Sequence, residues 1–283
     1  MIHQTPKQRF MSSKIYYLLV FANVLFFSSC SHYYYAPDEA NVLKLNDRHD
    51  LKISISGNST SGNYELKHSN FQLGYSPIKH VGVFASHFKM SGQEPKDDPL
   101  RGGEGHLNNV GIGGYYFFNA ESILNNLVSY EDEIGVQSGF LFDVYGGYGK
   151  GHISNFYTEG GFSDLDLQKY FVQAGIHWQG KALGISYVWK TGRLNYFNGI
   201  INGQLGDSEI NSLRNIEEIR EFPFRESSLK FYMGVKYARV YLNVATTISE
   251  FDNNFSHRTS LGSFGIIADL DDIYRAIKNP IND

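Results

Sequence analysis

From Leu51 onward, side chains alternate between apolar and polar with a period of two, and this pattern constrains the fold more than any other feature. That period puts residues i, i+2 and i+4 on one face of a β-strand, whereas a helix needs 3.6. Leu51, Ile53 and Ile55 alternate with Lys52, Ser54 and Ser56, and Phe71, Leu73 and Tyr75 with Gln72 and Gly74. Further runs fall at 80–90, 106–118 and 139–150, where Phe140, Phe142 and Val144 oppose Asp143 and Tyr145. In 169–178, Tyr170, Val172, Ala174, Ile176 and Trp178 oppose Phe171, Gln173, Gly175 and His177. Alternating runs at 183–190, 228–236, 240–246 and 260–268 bring the candidates to ten. With 20 Tyr, 21 Phe, 29 Gly and only 7 Pro, the composition is that of twisted, closely packed strands.

Short links are expected near 76–79, 179–181 and 237–238, and long loops at 91–105, 119–137, 151–166 and 195–225. Short turns on one side and long loops on the other are the mark of a membrane-spanning up-and-down barrel. The expectation is therefore an all-β chain: an antiparallel up-and-down β-barrel of 8–10 strands over residues 51–268. Residues 269–283 add a short helical tail, with Leu270, Ile273, Tyr274 and Ile277 at helical spacing and Asp269 as N-cap. This tail is expected to pack against its own barrel. Period two does not say which face meets water, so a soluble, lipocalin-like barrel holding an apolar ligand stays open beside the membrane barrel. The two differ in where Phe140, Phe142, Leu229 and Phe231 point: outward in lipid, inward in water. A membrane barrel would also line its lumen with Asp143, Lys190 and Lys230.

Residues 15–27 form an apolar run preceded by Lys14 and followed by Ser28, Ser29 and Cys30, the parts of an export signal. Either Met1 or Met11 fits as the start. The stretch Phe27-Ser28-Ser29-Cys30 resembles the bacterial lipoprotein signal, with Phe27 where Leu is usual. The resemblance implies cleavage after residue 29 and acylation of Cys30, with palmitate-class chains anchoring the protein in a Gram-negative membrane. Residues 30–50 are then expected to be a tether. Asp38 and Glu39 lie some way after Cys30, which points to the periplasmic leaflet of the outer membrane. Cys30 is the only cysteine, so an internal disulfide is excluded.

The formal net charge of −4 becomes −7 once residues 1–29, with Lys7, Arg9 and Lys14, are removed. No Lys/Arg run stands out, and a nucleic-acid partner is not expected.

The stretch 51–90, with 143–150 and 168–178, is similar to a group of uncharacterised outer-membrane β-barrel lipoproteins of Bacteroidota. The similarity rests on Gly62, Tyr75-Ser76-Pro77, Val81-Gly82-Val83 and Gly146-Gly147-Tyr148-Gly149. These are turn and barrel signatures. They imply a fold and a location, with outer-membrane lipid and an outer-membrane protein complex as partners, and no mechanism.

Chemistry is thinly signposted. His68, His80 and His87 show no metal-ligand spacing, and no metal or other cofactor is expected. His177 is expected to face the lumen and be hydrogen-bonded. There is no G-x-S-x-G. The acids Glu131-Asp132-Glu133, and Glu209, Glu217, Glu218, Glu221 and Glu226 in 207–226, are expected in solvated loops. Leu213, Ile216 and Ile219 suit a short helix there. The expected role is a non-enzymatic accessory or scaffold subunit, or a narrow passage. A barrel lipid hydrolase is a further alternative, and it would show Ser, His and an acid within hydrogen-bond reach at one rim.

Overall fold

Alternation of this length and number leaves no stable arrangement in lipid except one in which every strand edge is paired. The computed structural model describes residues 34–41, 44–45, 47–60, 65–93, 102–119, 138–157, 160–180, 182–203, 205, 207–235, 237–247 and 260–278. It is a closed antiparallel barrel of ten strands, each paired with its neighbours in sequence and the first with the last. The strands are β1 (Leu51–Thr60), β2 (Glu65–Ile78), β3 (Val81–Gln93), β4 (Gly102–Asn119) and β5 (Gly139–Phe156). They continue as β6 (Phe162–Gln179), β7 (Leu183–Asn202), β8 (Glu221–Gly234), β9 (Ala238–Thr247) and β10 (Ser260–Asp269). Helix α1 (Asp207–Ile219) lies between β7 and β8, and α2 (Leu270–Lys278) follows β10. Cys30 and the preceding segment lie outside the described residues, as do Gly62 and Glu131-Asp132-Glu133.

The outer wall is apolar. Phe140, Phe142, Val144, Val172, Ile176, Trp178, Tyr187, Trp189, Phe231 and Leu242 are all exposed. Asp143, Gln173, His177, Lys190 and Lys230 are buried inside. This inside-out distribution is that of a membrane-spanning barrel and the reverse of a soluble, lipocalin-like one. His177 faces the lumen as expected, with Nε2 2.9 Å from Asp143 Oδ2.

The strand ends joined by 61–64, 94–101, 157–161, 203–220 and 248–259 lie at one end of the barrel, the loop end. Those joined by 79–80, 120–138, 180–182 and 235–237 lie at the turn end, where 120–138 is the one long connection in sequence. The loop expected at 151–166 is largely strand, and the one expected at 195–225 is partly so. β5 and β6 run for 18 residues each and β7 for 20, leaving only 157–161 of the loop expected at 151–166. Above the apolar belt both faces of these strands carry polar groups. The hydrophobic period therefore fades while the hydrogen-bonded ladder continues.

Of the segment expected as a tether, residues 34–41 and 44–45 lie inside the barrel. Tyr34, Tyr35, Asp38, Glu39, Ala40, Asn41, Lys44 and Leu45 are all buried. At the loop end, the Tyr34 hydroxyl meets that of Tyr157 at 2.8 Å and its carbonyl accepts from Tyr196 at 2.7 Å. At the turn end, the Tyr115 hydroxyl donates to the Asp47 carbonyl at 3.0 Å. The segment thus descends the lumen and turns up into β1. Gly82 permits this passage, because a Cβ there would sit 2.8 Å from Leu45 and 2.5 Å from the Tyr145 hydroxyl.

Charge balance holds the plug. Asp38 pairs with Lys169, and with Lys190 at 3.0 Å; Glu226 lies 3.3 Å from each of these lysines. Glu39 is 3.3 Å from Lys230 and accepts from Ser56 at 2.5 Å, from Tyr241 at 3.0 Å and from Ser263. Glu226, expected in a solvated loop, is therefore a buried lumen residue, because β8 begins at Glu221, seven residues before the alternating run at 228–236. α1 forms as expected and sends Leu213 and Ile216, but not the exposed Ile219, into the core with Tyr34, Tyr196 and Phe222. Among the described residues, the route an open passage would take is occupied by the plug and α1.

Candidate active site

The extended parts of β5, β6 and β7 carry a polar strip on the outer wall, at the loop end of the apolar belt. Along β5, the even-numbered residues face outward: Phe142 and Val144 in the belt, then Tyr148, Lys150, His152, Ser154 and Phe156. Because the side-chain period is two, His152 and Ser154 stand side by side on one face. The register sets Asp166 of β6 opposite His152, and Asp164 opposite Ser154.

These four side chains touch. His152 Nε2 is 3.1 Å from Ser154 Oγ, and His152 Nδ1 is 3.1 Å from Asp166 Oδ1. A serine hydroxyl at one imidazole nitrogen and a carboxylate at the other is the arrangement that lets histidine take a proton from an alcohol. With Nδ1–H donating to Asp166, Nε2 is left to accept. His152, Asp164 and Asp166 are each about one third exposed at the side chain (39%, 33% and 31%), so a substrate can reach them.

Asp166 is held from a second side. The β6–β7 register slips between Asp164 and Asp166, which pair with Ile200 and Phe197 respectively. This bulge puts Asn198 at φ +52°, and its amide donates to Asp166 Oδ2 at 3.1 Å. A bulge is a common device for re-aiming a side chain beside a site. In this part of β6, clear of the apolar belt, the Asn198 amide and then His152 hold the Asp166 carboxyl below the usual carboxylate range. Asp166 thus remains an ionised acceptor for His152 Nδ1–H.

Asp164 is a competing partner. Ser154 Oγ donates to its Oδ1 at 2.5 Å, and the same oxygen is 3.6 Å from His152 Nε2. In this geometry the serine proton points at Asp164 rather than at the histidine.

His152 also heads a row of rings across the barrel. His106 lies 6.2 Å from it, centroid to centroid, and His87 lies 6.4 Å from His106. His87 Nδ1 sits 2.7 Å from Asn108 Oδ1. Among the described residues, no group of three or more His, Cys, Asp or Glu side chains is placed to hold a metal ion. His68 is in the lumen against Phe88, His80 is at the β2–β3 turn stacked on Tyr116, and His87 is on the outer wall. The three histidines singled out in the sequence are not brought together.

The sequence reading missed His152, Ser154, Asp166 and Asn198. The signal was present as His-x-Ser on one strand face, with an acid twelve residues on. It becomes visible only if the strand period is carried through 151–166, a stretch expected as loop.

No family model matches the chain, and no curated protein matches it. Among solved structures it is similar to the outer membrane protease OmpT from Escherichia coli, with a TM-score of 0.36 and 8% identity over 77% of this chain and 91% of that one. It is also similar to the P. putida toluene transporter TodX, with a TM-score of 0.19 and 8% identity over 78% of this chain and 88% of that one. The expectation of a non-enzymatic barrel does not stand. One of the structures it is similar to is itself an enzyme, although at this TM-score no activity carries over.

Proposed function

We propose that the protein is a serine hydrolase of the outer membrane, cleaving acyl esters of membrane lipids on its outer wall. The observation that carries this reading is the Ser154–His152–Asp166 contact chain, with both histidine nitrogens engaged at 3.1 Å. Ser154 Oγ attacks the ester carbonyl as its proton passes to His152 Nε2, and Asp166 stabilises the imidazolium that forms. His152 then returns the proton to the departing alcohol oxygen. Water, deprotonated by the same nitrogen, attacks the acyl-serine and frees the fatty acid.

The location of the chain supports a lipid substrate. His152 is four residues along β5 from Tyr148, which packs on Tyr170 at 5.2 Å at the upper edge of the belt. That is about 13 Å of strand, less in height once the strand is tilted. A site at this level stands among the lipid headgroups, above the acyl chains. Phe156 and Ile200, exposed on either side of the serine–aspartate row, offer apolar contact to a chain. The filled lumen leaves the outer wall as the working surface. We further propose that Cys30 is acylated, giving the protein a lipid anchor in addition to its barrel.

The test is release of fatty acid from mixed micelles of phospholipid and lipopolysaccharide by the refolded protein. Wild type should release fatty acid, and His152→Ala should lose roughly 10³-fold or more of that rate. Equal rates for the two proteins would refute the assignment.

A further inference from the structure

We propose that α2 lies in the membrane–water boundary at the turn end of the barrel, with its Tyr274–Ile277 face against lipid. α2 begins at the residue after β10, with no intervening loop, and is capped by Asp269, whose Oδ1 accepts from the Asp272 amide at 3.2 Å. Asp269 Oδ2 is also 3.1 Å from Lys52 of β1, which ties the helix start to the barrel. Helical spacing puts Leu270, Ile273, Tyr274 and Ile277 on one face. The tail was expected to pack this face on its own barrel. Instead only Leu270 and Ile273 are half-buried, while Tyr274 is 61% and Ile277 75% exposed.

Two observations commit this face to lipid. The first is continuity with the lipid-facing wall. Phe264 and Ile266 of β10 are 54% and 50% exposed on that wall, and the chain passes from Ile266 into α2 within four residues. The neighbouring connection at the same end carries exposed Val235 and Tyr237. The second is the order of side chains along the helix. Lys278 borders the apolar face with its Nζ 5.9 Å above the Tyr274 ring, while Arg275, further round the same side, is bound to Asp271 at 2.7 Å. An aromatic ring with a polar tip, beside a long cation whose head can reach the phosphate level, is the composition of an interfacial helix.

The test uses the protein's two tryptophans, Trp178 and Trp189, both exposed on the outer wall, as internal standards. In vesicles of brominated-chain phospholipid, the parent protein should be quenched through those residues. In a W178F/W189F background, Y274W and I277W are then measured singly. The expected result is quenching of I277W by brominated chains to at least half the parent's extent, with little quenching by aqueous iodide. Quenching by iodide with none by brominated lipid would overturn the proposal. So would an I277W signal reached by neither quencher, which would place a second protein copy over the face. Failure of the parent itself to be quenched would refute the membrane barrel rather than the helix position, so the two failures are distinguishable.

Discussion

The lumen and the outer strip above the belt are built from the same kinds of side chain, and they are put to opposite uses. Inside, Asp38, Glu39 and Glu226 face Lys169, Lys190 and Lys230, and all six are buried. Each carboxylate has a cation at 3.3 Å or closer. Outside, Asp164 and Asp166 face His152 and Ser154; the histidine and both acids are about one third exposed, and the Ser154 hydroxyl, donated to Asp164, has His152 Nε2 within reach as a second acceptor. The buried set is closed upon itself and fixes the plug. The exposed set is open to solvent and, in the proposed reaction, supplies the nucleophile and the base. What separates a structural from a chemical polar cluster here is access, together with a donor that has somewhere else to go.

The largest expected effect tests the inner half of that contrast. Asp38→Asn removes the charge that Lys169 and Lys190 share. Losing one partner of a buried pair costs about 3–5 kcal/mol, because the other charge stays buried. The barrel should unfold at a lower denaturant concentration by that amount while hydrolysis per folded molecule is unchanged. A parallel fall in both would mean that the plug and the outer site are not separable. A smaller effect is expected at Asn198. Its amide is the main cause of the depressed Asp166 carboxyl, so Asn198→Ala should let that carboxyl rise. A depressed carboxyl contributes above its unperturbed range and loses its contribution as pH falls through the lowered value. Raising it moves the acid limb of the rate profile to higher pH. The profile measured from pH 3 to 7 should shift in that direction, with a loss of about tenfold or less at neutral pH. The smallest effect is expected at Asp164. Asp164→Asn takes away the charged acceptor that holds the Ser154 hydroxyl and should raise the rate by about fivefold, the worth of one modest hydrogen bond. A fall in rate would make Asp164 part of the machinery instead of a brake.

Much of the barrel was legible because its lipid-facing half obeys one simple rule. Tyr170, Val172, Ala174, Ile176 and Trp178 in β6, and Leu183, Ile185, Tyr187 and Trp189 in β7, are apolar at every second position, so strand identity and face follow directly. The plug was not legible. Residues 31–41 carry no period, and the partners of Asp38 lie 131 and 152 positions away, on strands whose closure cannot be read locally. The candidate site fell between these cases. His152 and Ser154 obey period two, but their neighbours Ile153 and Asn155 face an inner wall of mixed character, so the contrast that marks a strand is weak. Asn198 was out of reach altogether, because its role depends on a bulge that shifts the β6–β7 register by one residue.

The most direct test of the outer site is covalent. The folded protein, reconstituted in lipid, is treated with a long-chain fluorophosphonate, digested and mapped by mass spectrometry. The account predicts one phosphonylated residue, Ser154, with labelling abolished in Ser154→Ala and sharply slowed in His152→Ala. An unlabelled Ser154 in a barrel shown to be folded, or labelling that persists unchanged in His152→Ala, would contradict it.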